Sequence, residues 1–312
     1  MKLISIVVPV YNEEKNIPLL FVGLKRVFIQ MQQYSWEIIF VNDGSADGSW
    51  VEIEKLANEN ENVKYINFSR NFGKEIATTA GINHCKGDAC IMIDADLQHP
   101  PAVISELLKR WEKGAEDVVG VRKNNNRESL VKSFGSWFYY KIINRISDTS
   151  IIANATDFRL LDRMVIDAFN RLSERNRITR GLISWLGFQR EYVYFESPKR
   201  INGKASYSTI KLIRLAMSSF ISMSLFPLKF AGYLGMMIML FSGILGLFIF
   251  FHKYVINDPL GYSFSGPAIL AVLNIFLIGI VLSCLGIIAL YIANIHGEVI
   301  NRPMYVIRKK KL

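Results

Sequence analysis

The chain has 312 residues, is 51% hydrophobic and carries a formal net charge of +10. A soluble enzyme of this length is seldom so apolar, so the composition argues against a purely soluble protein and for a domain of about 200 residues joined to a membrane module. The basic excess suits nucleic acid, anionic lipid or phosphorylated substrates, and the apolar content favours the last two.

The first ten residues are too short an apolar run for a secretory signal and break at Pro9. Cys85, Cys90 and Cys284 show neither metal-ligand spacing nor a disulfide framework, which fits a reducing cytosol. Leu3 to Val8 reads as a first parallel strand ending at Pro9 and Tyr11. Asn12 can cap a helix over 13–33, with Glu13 and Glu14 in its first turn. Trp36 to Val41 is a second strand, and the Gly-rich turn after it places Asp43 at a carboxyl edge. A helix over 49–60 and a strand from Val63 to Phe68 follow, then the Ser69–Glu75 loop with Arg70 and Lys74, which opens a helix through Cys85.

The central stretch is Ala89 to Pro101. Its apolar run reads as a buried strand, and Asp94 and Asp96 sit where that strand ends. In extended backbone the two carboxylates point the same way. Hard oxygen ligands at that spacing suit Mg²⁺ or Mn²⁺ held against a diphosphate. A bare Asp-x-Asp is more often a solvated turn; the buried strand and the neighbouring motifs favour the metal reading. A helix over 101–113 and a fifth strand from Asp117 to Val121, ending at Arg122, complete the series. Such alternation predicts a Rossmann-like, mostly parallel sheet whose ligands bind at the carboxyl ends of its strands. Neither a Gly-x-Gly-x-x-Gly opening the first helix nor a P-loop is present.

Residues 122–127 form a basic loop, and Ser129 to Ile146 an aromatic-faced helix. Asp157 stands before an apolar segment read as a helix, where it is either an N-cap or a functional carboxylate. Residues 178–186 read as a helix and Tyr192 to Phe195 as a strand. Arg200 and Lys204 lie in a basic Gly-containing loop that either is solvated or clamps phosphate. Residues 1–207 form the catalytic domain, and 208–229 an amphipathic helix suited to the membrane interface. Uncharged segments over 230–252 and 267–295 are each long enough to cross a bilayer, with a short outer loop over 253–266 and a basic tail over 296–312. Positive flanks put the catalytic domain and both termini on the cytoplasmic side of the cell membrane. The parts describe an enzyme that moves a group from a nucleotide diphosphate to a membrane acceptor.

The motifs Val8–Glu14, Val41–Ser45, Ser69–Glu75, Asp94–Gln98 and Asp157–Leu160 resemble those of the inverting family-two glycosyltransferases. Within them the chain looks most like the polyprenyl-phosphate (bactoprenol) glucosyltransferases, relatives of dolichyl-phosphate mannose synthase. The resemblance runs through nearly the whole chain and implies a GT-A fold, a UDP-sugar donor such as UDP-glucose, and undecaprenyl phosphate as acceptor, for a cell-wall or O-antigen glycan. It implies that Pro9, Tyr11, Glu13, Asp43, Arg70 and Lys74 hold the nucleotide sugar. Asp94, Asp96 and Gln98 would bind Mg²⁺ or Mn²⁺. Arg122, Arg200 and Lys204 would contact phosphates, and Asp157 matches the carboxylate proposed as base, with Thr156 where relatives often carry Gly. The family includes tetramers, so a homo-oligomer is expected. Glucose, N-acetylglucosamine, galactose and mannose stay open as the sugar. A processive polysaccharide synthase would carry Gln-x-x-Arg-Trp, whereas Trp185 follows Ser184. A flippase leaves the carboxylates without a purpose. Nucleic-acid binding is set aside because the charge gathers beside the apolar segments.

Overall fold

The computed structural model describes residues 1–123, 155–175, 177–198, 244, 266–300 and 302–312. These fall into two compact units, one from Met1–Lys211 with Asn301–Leu312 and one from Leu212–Ile300.

The first unit is built on an eight-stranded sheet. Its elements are β1 (Lys2–Val10), α1 (Ile17–Ile29), β2 (Tyr34–Asn42), α2 (Ser49–Glu59), β3 (Val63–Phe68), α3 (Lys74–His84), β4 (Ala89–Met92), α4 (Ile104–Glu112) and β5 (Asp117–Arg122). Then come β6 (Ala155–Asp162), α5 (Arg163–Arg171), α6 (Thr179–Trp185), β7 (Arg190–Phe195) and, near the C-terminus, β8 (Ile307–Lys311). The strand order is β7-β5-β6-β4-β1-β2-β3-β8. β4, β1, β2 and β3 run parallel to one another, as the βα alternation predicts. β6 runs antiparallel to both its neighbours and β8 antiparallel to β3, so the sheet is mixed.

Strand alternation sends side chains to two apolar layers. On one face Ile4, Ile6, Val8 and Phe40 pack with Leu20 and Leu24 of α1, Ile53 of α2 and Leu107 of α4. On the other, Val7, Ile39 and Val41 pack with Ala77 and Ile82 of α3, Val165 and Phe169 of α5, and Ile183 of α6. Gly81 allows α3 to press on β1, since a Cβ there would lie 2.1 Å from Val7 Cγ1. That close approach fixes the height at which Lys74, the first residue of α3, meets the sheet edge.

Several expectations need correction. The first helix begins at Ile17, with Asn16 as its N-cap and Pro18 at its start, where a missing N–H costs nothing. Asn12 has φ 57° and its side chain instead accepts from Ala46 N at 2.9 Å, tying the two loops together. Asp157 precedes no helix. It lies within β6, whose alternation buries Phe158 and Leu160 on one face, and the capping residue of α5 is Asp162, which accepts from Met164 N. β4 ends at Met92, so Asp94 and Asp96 do not share an extended strand. Asp96 closes a turn by accepting from Gln98 N at 3.1 Å, with Leu97 at φ 62°. The segment read as a basic tail supplies β8, which pairs with β3 from Phe68 to Tyr65. Tyr305 stacks on Phe68 with ring centroids 5.1 Å apart.

The second unit's described part is α7 (Gly266–Val299), a 34-residue helix. At 1.5 Å per residue it is about 50 Å long. Counted over the described residues alone, which omit several of its side chains, no helix is long and apolar enough to cross a membrane. The aromatic-faced helix over 129–146, Arg200, Lys204, the amphipathic helix over 208–229, and almost all of the first apolar segment and of the 253–266 loop lie outside the described residues.

Candidate active site

The site is assembled at the carboxyl edge of the parallel strands. β4 and β6 pair with Met92 opposite Arg159 and Ile91 opposite Leu160. Continuing that antiparallel register by two residues sets Asp94 beside Asp157. α3 delivers Lys74 between them. Its Nζ lies 2.7 and 2.8 Å from the two carboxylate oxygens of Asp94 and donates to Asp157 Oδ2 at 2.9 Å. On the far side, Arg180 of α6 donates from Nε to Asp157 Oδ1 at 3.1 Å, with Nη2 3.0 Å from the same oxygen. Its Nη1 also reaches Ala155 O at 3.3 Å. The result is a row of alternating charge, Asp94–Lys74–Asp157–Arg180, drawn from the turn after β4, from β6 and from two helices.

This row sets the protonation of its members. Burial alone would push the Asp157 carboxyl up, but Lys74 and Arg180 outweigh it and hold it well below the usual carboxylate range. Burial likewise opposes the charge on Lys74, and attraction to Asp94 and Asp157 raises its ammonium above the ordinary value. Both are therefore charged at neutral pH. His99 backs the row from inside the protein. It is 3% exposed, its ring stacks on Phe158, and its Nδ1 accepts from Asp94 N at 3.3 Å. Burial lowers its pKa, in keeping with a neutral, accepting imidazole.

Asp43 directly follows β2 and serves a second purpose. Its Oδ1 and Oδ2 accept from Phe72 N at 2.6 Å and Gly73 N at 2.9 Å. It thereby anchors the loop that launches Lys74. Burial raises its pKa against those hydrogen bonds and the nearby Arg70. Gly44, at φ +64°, lets the two loops touch, because a Cβ would fall 2.4 Å from the Arg70 carbonyl carbon. Arg70 itself lies over the Phe72 ring at 4.0 Å. Pro9 lies one residue before the end of β1, opposite Val41, Tyr11 is half exposed beyond the strand, and Glu13 N donates to Ser49 Oγ at 2.8 Å.

Of the residues expected in the site, the structure brings Lys74, Asp94 and Asp157 into direct contact and sets Asp96 in the adjoining turn. Gln98 faces Arg122 instead, accepting from its Nη2 at 3.4 Å. Arg180 and His99 were not anticipated. His99 follows the Asp-x-Asp motif by three residues and could have been found by proximity, whereas nothing in the local pattern marks Arg180. Among the described residues no three His, Cys, Asp or Glu side chains are grouped to hold a metal ion. Asp94 and Asp96 still suit a hard divalent cation of the kind that takes one or two carboxylates and completes its shell with substrate phosphate and water.

The glycosyl transferase family 2 model matches residues 5–169. An uncharacterized glycosyltransferase of Synechocystis is 40% identical over 97% of this chain and 94% of its own length. A prophage-derived bactoprenol glucosyl transferase of Shigella flexneri is 38% identical, with 98% and 97% covered. A prophage bactoprenol glucosyl transferase homolog of Escherichia coli is 36% identical, with 99% of each chain covered. The mixed α/β sheet fits the GT-A type expected, and the chain belongs to glycosyl transferase family 2 and is a glycosyltransferase.

Proposed function

We propose that this glycosyltransferase moves a single sugar, glucose, from a UDP-sugar to polyprenyl phosphate with inversion at the anomeric carbon. The observation that carries the reading is the Asp94–Lys74–Asp157–Arg180 row at the carboxyl edge of the sheet. Relatives named bactoprenol glucosyl transferase, similar along nearly their full length, support the acceptor and the sugar.

An ionised phosphate oxygen of the acceptor would attack the anomeric carbon as the bond to the UDP diphosphate breaks. Such a nucleophile has no proton to lose. A carboxylate held as acidic as Asp157 is a poor proton acceptor at neutral pH. Asp157 therefore orients Lys74 and Arg180, whose positive charges hold the phosphates of donor and acceptor. Asp94 and Asp96 would hold Mg²⁺ or Mn²⁺, which supplies neutralisation of the leaving diphosphate when bound. Pro9, Tyr11, Glu13, Asp43 and Arg70 would hold the nucleotide sugar, and Arg122, Arg200 and Lys204 would contact the phosphates.

We place the enzyme in the cell membrane with its catalytic domain and termini in the cytoplasm, as a homo-oligomer. Residues 267–295 within α7 carry no charged side chain, and 230–251 carry none either. The test is transfer by purified full-length protein in detergent, given undecaprenyl phosphate, Mg²⁺ or Mn²⁺, and radiolabelled UDP-glucose, UDP-N-acetylglucosamine, UDP-galactose or GDP-mannose in turn. Label from UDP-glucose in the organic phase is expected. Label from another donor alone overturns the sugar, and none from any donor overturns the lipid acceptor.

A further inference from the structure

Lys74 occupies the carboxylate that the proposed cation needs. Its ammonium touches both oxygens of Asp94, at 2.7 and 2.8 Å, while its second bond, 2.9 Å to Asp157, holds it in place. A divalent cation would sit about 2.0–2.1 Å from the same oxygens. An ammonium and a metal ion packed that closely on one carboxylate repel each other strongly, so the two compete. A diphosphate entering the cleft changes the balance, because it gives Lys74 another anion to face and brings oxygen ligands of its own.

We propose that Lys74 acts as an internal counter-ion that keeps the cation off Asp94 until the donor diphosphate arrives, so that cation and nucleotide enter together. The inference rests on the metal–diphosphate reading above and adds a reason why neither should bind well alone. A simpler cause exists for weak binding of the bare cation. The described residues offer no three-ligand group of His, Cys, Asp or Glu, so the shell is incomplete without phosphate. The two causes differ in what removal of the ammonium does. If Lys74 competes, removing it tightens cation binding in the absence of nucleotide. If the shell is merely incomplete, it does not.

The experiment is titration of the full-length chain in detergent with Mn²⁺, following free Mn²⁺ by electron paramagnetic resonance, with and without UDP. The variants are Lys74→Met, which removes the charge and keeps the length, and Lys74→Arg, which keeps the charge. Thermal denaturation checks that each is folded, and Lys74→Gln replaces Lys74→Met if that variant is not. Wild type should bind Mn²⁺ at least tenfold more tightly with UDP present. Lys74→Met should bind Mn²⁺ without UDP about tenfold more tightly than wild type, the order expected when one partly hydrated competing charge is removed. Its gain on adding UDP should shrink, and Lys74→Arg should follow wild type. Equal or weaker Mn²⁺ binding by Lys74→Met, with the UDP effect intact in wild type, overturns the inference and leaves the metal–diphosphate reading standing. No Mn²⁺ binding by wild type even with UDP overturns both.

Discussion

Asp43 and Asp157 are both carboxylates at the carboxyl edge of one sheet, yet they are held by opposite means. Asp43 is fastened by two backbone N–H groups, and burial raises its pKa. Asp157 is fastened by two side-chain cations, which depress its pKa despite burial. Backbone donors cannot leave, so Asp43 is a fixed anchor for the loop that leads to Lys74. Side-chain cations can exchange one anion for another, which suits the orienting part proposed for Asp157. A carboxylate's task can thus be judged by whether its partners are free to move.

The sharpest way to break this contrast is Asp157→Asn. It keeps the shape, removes the charge and leaves Lys74 and Arg180 without their shared partner, so transfer to lipid should fall about 100- to 1000-fold with the fold intact. Loss of less than tenfold would show that the row is not the centre of catalysis. Asp43→Asn should act through structure instead. An amide can satisfy only one of the two N–H donors, so the melting temperature should drop, by an amount corresponding to about 1–3 kcal/mol, and the KM for donor should rise more than kcat falls. Arg180→Lys retains charge without the fork, and kcat should fall about tenfold with a stable protein.

The smallest effect is on acid stability. Because the folded pKa of Asp157 is depressed, its contribution is complete above the unfolded value near 4 and is lost as pH falls below that. Asp43, with a raised folded pKa, has the opposite sign: protonation on acidification favours its folded form. Asp157→Asn should therefore flatten the acid limb of a chemical-denaturation series against pH, and Asp43→Asn should steepen it. The reverse pattern would show that the two environments have been misjudged.

The parts legible from sequence are those governed by neighbours in the chain. Apolar runs followed by Asn, Asp and Gly marked β1 to β5 and put Asp43 and Asp94 at the sheet edge. β6 was misread because Asp157 followed by Phe158, Leu160 and Leu161 also suits a capped helix, and only the open edges of β4 and β5 make it a strand. Arg180 is one cation among several in a basic stretch, and its partner Asp157 is 23 residues away. β8 lies in the segment that reads as a basic tail, because Arg308, Lys309, Lys310 and Lys311 carry no strand signal. Its partner strand lies more than two hundred residues earlier, and Lys309 meets Glu54 across the same gap.

That last strand has a consequence for how the chain is made. β1 to β4 pair with one another within the first third of the chain, so this part of the sheet can form early in synthesis. The flank of β3, however, keeps its hydrogen-bonding groups open until β8, more than two hundred residues further along, has been made. During translation this edge is the natural place for a chaperone, or a wrong strand, to bind.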